Sequence, residues 1–166
     1  VLQYFQRQHP QQFDAILARI TKAIPGLQRI TPETSKDKRL LLKFDERGYQ
    51  DPFFQQSMSD GTLKMLAYAV LLEDPNPRPF IGIEEPETAL HPAASRALRE
   101  ALNRAAKHTQ IIVTSHSPDL MDDPDLDADT VRAVIAEGSE THIAPLDSGS
   151  QDAMKQHLFS AGELLR

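Results

Sequence analysis

The chain has 166 residues, 40% of them hydrophobic, and a formal net charge of −6. That suffices for one compact domain with a real core, argues against a chain-wide nucleic-acid clamp, and leaves no run near the ~18 apolar residues a membrane span needs. Cysteine is absent, so there is no disulfide framework or thiolate metal site; with no secretory leader the expected location is cytoplasmic, and a first residue of valine rather than methionine points to processing or to a piece of something longer.

Phe13, Ile16, Leu17, Ile20 and Ile24 follow helical spacing, and Pro25-Gly26 stops that helix. Leu40, Leu42 and Phe44 alternate, which predicts a strand over 39–45 that can pair with 27–31. Residues 47–57 read as a loop. Leu63, Leu66, Ala67, Val70 and Leu71 mark a second helix, starting near Ser59 or Asp60 and ending before Pro75. The connector Asp74 to Pro79 leads to a short apolar strand over 80–84, as expected of a parallel strand buried on both faces.

Pro92 then opens a helix in its favoured first position, with Ala94, Leu98, Ala101, Leu102 and Ala105 as the buried stripe. Arg96, Glu100 and Arg104 lie four apart and can pair as charges. Ile111, Ile112 and Val113 form a second buried strand, completing a βαβ unit for which a right-handed crossover is expected. Asp122 to Asp129 is acidic and loop-like. Val131 to Ala136 and Thr141 to Ala144 read as a hairpin around Glu137-Gly138-Ser139, and the last twenty residues as helical. No internal repeat or clear domain boundary is visible, so 1–166 reads as a single domain.

Three segments carry chemistry. The strand at 80–84 ends in adjacent carboxylates, Glu84 and Glu85. Ligands collect at the carboxyl ends of parallel strands, where one carboxylate could hold Mg²⁺, directly or through water, and the other could orient a water for attack on a phosphate. The plainer reading is two solvated residues at a strand end. The next strand ends in Thr114-Ser115-His116-Ser117-Pro118, where His116 is either structural or placed to hydrogen-bond a phosphoryl group. Upstream, Ser59-Asp60-Gly61 precedes an apolar helix: Ser59 or Asp60 is an N-cap, and a capped helix N-terminus with a glycine for close approach is also an anion site.

In this order the segments resemble the second half of an ABC-type ATPase domain, closest to the SMC- and RecF-like branch among predicted AAA-type ATPases. Met58-Ser59-Asp60-Gly61-Thr62 resembles the signature motif, and Phe80 to Glu85 the Walker B strand with its trailing glutamate. Thr88-Ala89-Leu90-His91 takes the D-loop place, and His116 that of the switch histidine. The tail, ending Ser160-Ala161-Gly162-Glu163-Leu164-Leu165, is also similar. The likeness is strong over roughly 55–122 and looser elsewhere.

The resemblance implies an α/β fold: a partial P-loop NTPase with a parallel βαβ core lacking the Walker A strand, plus a C-terminal hairpin and helices. It divides the chain into 1–56 before the signature, 57–122 with the motifs, and 123–166 with the hairpin and helices. It implies ATP and Mg²⁺ as cofactors. Glu84 would hold Mg²⁺ through water, Glu85 would polarise the attacking water, and His116 would contact the γ-phosphate. Ser59, Asp60 and Gly61 would bind a nucleotide held by a second subunit, with Ala89, Leu90 and His91 across a homodimer interface. DNA enters by analogy alone. Glu84 stands where the family usually has aspartate, and Asp60 and Thr62 where it commonly has glycine and glutamine.

A phosphate-cradling loop needs G-x-x-x-x-G-K-[ST]. The glycines stand at 26, 48, 61, 82, 138, 149 and 162, and no two are five apart. The loop would have to come from another segment or polypeptide, and the isolated chain is expected to be inactive. In such a fold the missing strand would lie beside 110–114, so an exposed apolar edge and an oligomer are expected. Two other readings remain open: a metal-dependent nuclease using Glu84, Glu85, Glu87, His91 and His116, or a non-catalytic dimerisation module.

Overall fold

The apolar spacing around Phe13 is realised in helix α2 (Pro10–Ala23), with Pro10 in the first turn and Phe13, Ile16, Leu17 and Ile20 buried. A further helix, α1 (Leu2–Gln8), precedes it and buries Phe5. The computed structural model describes residues 2–123 and 126–165. They fall into two compact units, Val1–Thr114 and Ser115–Arg166.

In the first unit α2 ends at Ile24, and Gly26 turns the chain with φ +86. Strands β1 (Leu27–Thr34) and β2 (Leu40–Glu46) pair antiparallel, Ile30 opposite Phe44, as the alternation predicts. The expected loop at 47–57 contains a two-residue strand, β3 (Phe53–Phe54), on the other side of β2. Phe53 makes the difference: its ring packs against the core cluster and pulls the loop onto the sheet. Helix α3 (Asp60–Leu72) contributes Leu66, Ala69 and Val70 to that cluster, where they meet Phe5, Phe13, Ile16 and Phe44. Burying each of the larger ones, leucine, valine, isoleucine or phenylalanine, is worth about 1.5–3 kcal/mol.

Strand β4 (Phe80–Glu84), helix α4 (Pro92–Ala105) and strand β5 (Gln110–Thr114) form the expected βαβ unit, with β4 and β5 parallel and Glu84 opposite Thr114. The alanine and leucine stripe of α4 is buried as predicted. Burial of the strand pair departs from expectation. Ile81 and Ile83 are buried, whereas Phe80 is 52% exposed and Ile112 53%. One face is covered and the other is open. Apolar composition records that both faces need cover, not that this chain supplies it. Neither outer edge of the pair has a strand partner among the described residues.

Charges tie the three helices together at one point. Glu73, the C-cap of α3, accepts from Arg104 of α4 at 3.2 Å and pairs with Arg19 of α2. Glu73 is 16% exposed, so these pairs are less screened than ordinary surface ones.

The second unit begins with α5 (Pro118–Met121), capped by Ser117. The expected hairpin forms from β6 (Arg132–Glu137) and β7 (Glu140–Pro145), with Val134 opposite Ile143. The tail is helical in two pieces, α6 (Ser148–Lys155) and α7 (Ala161–Leu164), separated where His157 takes φ +53. Ala128, Val131, Met154 and Ala161 make its small core. Gly162 fits where nothing larger would: a Cβ there would lie 2.2 Å from the Pro118 carbonyl oxygen. Pro124 and Asp125, inside the predicted acidic loop, and Arg166, at the end of the predicted helical tail, lie outside the described residues. No helix among the described residues is long and apolar enough to cross a membrane.

Candidate functional site

The helix predicted to begin near Ser59 starts at Asp60, and Ser59 is its N-cap. The Ser59 Oγ accepts from the Thr62 N–H at 3.2 Å and lies 3.0 Å from Thr62 Oγ1. The cap satisfies one of the amides that a helix start leaves over. The hydroxyl keeps a proton of its own, so Ser59 can accept from the helix and still donate outward.

The carboxylates emerge from β4 beside β5. Glu84 is exposed at the end of the strand, and the Glu85 N–H donates to the Thr114 carbonyl at 2.9 Å. That bond continues the parallel ladder one residue past the last strand pair. The chain then reverses. Thr88 N–H donates to the Glu85 carbonyl at 3.1 Å and Leu90 N–H to the Glu87 carbonyl at 2.9 Å. The Thr88 hydroxyl reaches Glu85 Oε2 at 3.4 Å. Two residues of this turn sit in the left-handed region without being glycine: Glu85 at φ +40 and Ala89 at φ +66. Such conformations cost roughly 1–2 kcal/mol each for an L-residue. They persist where the surroundings over-determine them, and they cluster at functional sites.

The surroundings here are specific. Pro86 is fully buried. His91 caps α4, its Nδ1 accepting from the Ala93 N–H at 3.2 Å, which places the neutral ring's proton on Nε2. A Cβ on Gly61 would lie 2.2 Å from the Ala89 carbonyl oxygen. The first turn of α3 therefore presses backbone to backbone against the turn after β4, and only glycine permits it. One turn along α3, the Lys64 ammonium donates to the carbonyls of Glu85 at 3.2 Å and Thr88 at 3.1 Å.

Ser59 and Gly61 thus share a pocket of about 280 Å³ with Ala89, Leu90 and His91, deepened by Pro25 and Glu46. The structure brings together the two predicted interface motifs, in which Gly61 and Ala89 are 28 residues apart in sequence. Asp60, Glu84 and Glu85 do not line this pocket; Glu85 is joined to it through its own turn. His116 belongs to the second unit, in the segment between β5 and α5. Lys64 escaped the motif reading. Its signal was there: it lies three residues after Gly61, on the same helix face.

Oxygen donors at the end of β4 suit Mg²⁺, which keeps several waters and uses one or two carboxylates together with substrate phosphates. Among the described residues no group of three or more His, Asp and Glu side chains gathers as a metal site. The nuclease reading therefore has no ligand cluster among these residues.

The fold is similar to that of SMC head domains. A structure described as "Structural biochemistry of ATP-driven dimerization and DNA stimulated activation of SMC ATPases" superposes with a TM-score of 0.65 at 17% identity, over 95% of this chain and 97% of that one. The Smc head domain from Pyrococcus furiosus, with an extended coiled coil and bound to the C-terminal domain of ScpA, gives 0.67 at 19% identity, over 95% of this chain and 40% of that one. The SMC head domain from Thermotoga maritima gives 0.56 at 19% identity, over 88% and 49%. The chain spans nearly all of the first and less than half of the other two. Residues 1–122 match the family described as "AAA domain, putative AbiEii toxin, Type IV TA system", and the chain belongs to that family. No curated protein matches it.

Proposed function

We propose that this chain forms the C-terminal lobe of an ATPase that binds and hydrolyses ATP between two subunits, completed by a segment carrying the phosphate loop. The observation that carries this reading is the contact of Gly61 with Ala89, which seats the signature-like turn on the D-loop-like turn in one pocket. ATP with Mg²⁺ supplies the transferable phosphoryl group and the charge neutralisation that phosphoryl transfer needs.

Each residue then has a task. Glu84 holds the metal's water shell. Glu85 orients a water and takes up its proton, steadied by the Thr88 hydroxyl. His116 donates to the terminal phosphate; it follows Thr114, whose carbonyl anchors the Glu85 amide, by two residues. Ser59, Asp60 and Gly61 receive the partner subunit's nucleotide at the N-terminus of α3, and Ala89 to His91 lie along the interface between the two subunits. DNA is the first effector to test, because the SMC ATPases that this fold resembles are described as DNA stimulated.

The test joins this chain to, or mixes it with, the polypeptide bearing its phosphate loop, and measures ATP binding with and without that addition. Binding is expected only with it. In the complete protein Glu85→Gln is expected to retain ATP, remain dimeric and lose turnover by about a hundredfold or more. Unchanged turnover would remove Glu85 from its role. The open edge of β5 supports association of the isolated chain; light scattering behind size exclusion is expected to find more than one copy per particle, and a clean monomer at high concentration would count against it.

A further inference from the structure

The backbone-to-backbone junction at Gly61 is bridged by a side chain with no part in the motifs. Lys64 lies on α3, yet its ammonium satisfies two main-chain carbonyls of the turn after β4, those of Glu85 and Thr88. It is partly buried, and the Tyr68 ring sits beneath it at 5.8 Å, closing it in from the helix side. The carbonyls belong to the segment that holds Glu85 at φ +40 and Ala89 at φ +66. A turn carrying two left-handed non-glycine residues would relax if its polar groups were released to water. Lys64 denies it that relaxation. Gly61, one helical turn away, sets the separation of the two backbones, and Lys64 fixes their register.

We propose that Lys64 is a positioning residue: it locks the Glu85–Ala89 turn to the first turn of α3, so that the Glu85 carboxylate is held where the reaction needs it. This rests on the ATPase reading above for its catalytic consequence, but the mechanical part stands on the two hydrogen bonds alone. A lysine is suited to the task because its three donors rotate freely and can divide between two carbonyls. Arginine carries enough donors to substitute in part. Methionine matches the length and has none.

Two measurements test it. In the chain by itself, hydrogen exchange at the Thr88 and Leu90 amides is expected to quicken about tenfold in Lys64→Met, with α3 and β2 unchanged; Lys64→Arg should restore most of the protection. Unchanged exchange in a folded Lys64→Met overturns the proposal, whatever the protein does. Should Lys64→Met fail to fold, Lys64→Gln, which keeps a donor too short to reach both carbonyls, gives the same readout. In the complete protein, Lys64→Met is expected to lower kcat by about 10- to 100-fold with little change in KM, the signature of a misplaced reacting group. Looser exchange with normal kcat would also overturn it, reducing Lys64 to a stabilising contact. A complete wild-type protein that never binds ATP would instead sink the ATPase reading and leave the exchange result standing.

Discussion

Two reversals of the chain follow β-strands and solve the same steric problem in opposite ways. Between β6 and β7 the reversal uses Gly138 at φ +63, with nothing within 4 Å of where a Cβ would be. After β4 the reversal puts positive φ on Glu85 and Ala89, which pay a steric cost that glycine would avoid. The hairpin turn is open and needs only to turn. The other is held from several directions: Pro86 is buried, Gly61 abuts the Ala89 carbonyl, Lys64 donates to two of its carbonyls and His91 caps the helix that follows. Glycine appears instead on the neighbouring helix, at Gly61, where space and not dihedral freedom is the constraint. The comparison separates two uses of one residue type, and it marks the second turn as the place where side chains at awkward dihedrals are retained.

Substitutions can break that distinction. Gly61→Ala should have the largest effect, because the atoms its Cβ would meet are the backbone oxygen and carbon of Ala89, at 2.2 and 3.2 Å, and neither can swing aside. A loss of about 3 kcal/mol in urea denaturation is expected, at the upper end for overpacking. Gly138→Ala should lose less, about 1 kcal/mol, through its dihedral alone. Ala89→Gly should go the other way and gain about 0.5 kcal/mol, strain relief exceeding the added freedom of the unfolded chain. If Ala89→Gly destabilises as much as Gly138→Ala, the strain argument for the turn after β4 fails.

The smallest effect concerns the second unit and sharpens the contrast from its side. Asp147 caps α6, and the Ser150 hydroxyl and amide hold its carboxyl below the usual value of 3.8. A carboxyl lowered by folding stabilises the folded form fully above its unfolded value, and that contribution fades as pH falls from there through the lower folded value. Wild type should therefore lose slightly more melting temperature than Asp147→Asn between about pH 6 and about pH 3. Equal losses would show that the cap carries no charge-dependent stability.

Much of this was legible in the chain. Helical and alternating periods placed α2, α3, α4 and β2, and the hairpin followed from its turn. The Walker B-like strand, the cap at Ser59 and the helix opening at Pro92 stood within a residue of expectation. Helix α1 left no such trace: it is a single seven-residue stretch rich in glutamine, and Phe5 is buried only because α2 folds back beside it. Lys64 shares the Gly61 face of α3, but its partners are carbonyls, which carry no residue-type signature to say what it would hold. The open face of β4 and β5 was misjudged because composition reports a need for cover and not its source.

That open face has a practical meaning. Phe80 and Ile112 lie on the same side of a parallel ribbon only two strands wide. So narrow a ribbon holds its shape weakly without further strands or a lid. Whatever comes to sit on it adds stability in proportion to its own affinity and concentration. The melting curve of this chain is thus a meter for anything that covers that face: titrate in candidate polypeptides, and one that binds there announces itself as heat resistance before any turnover is assayed.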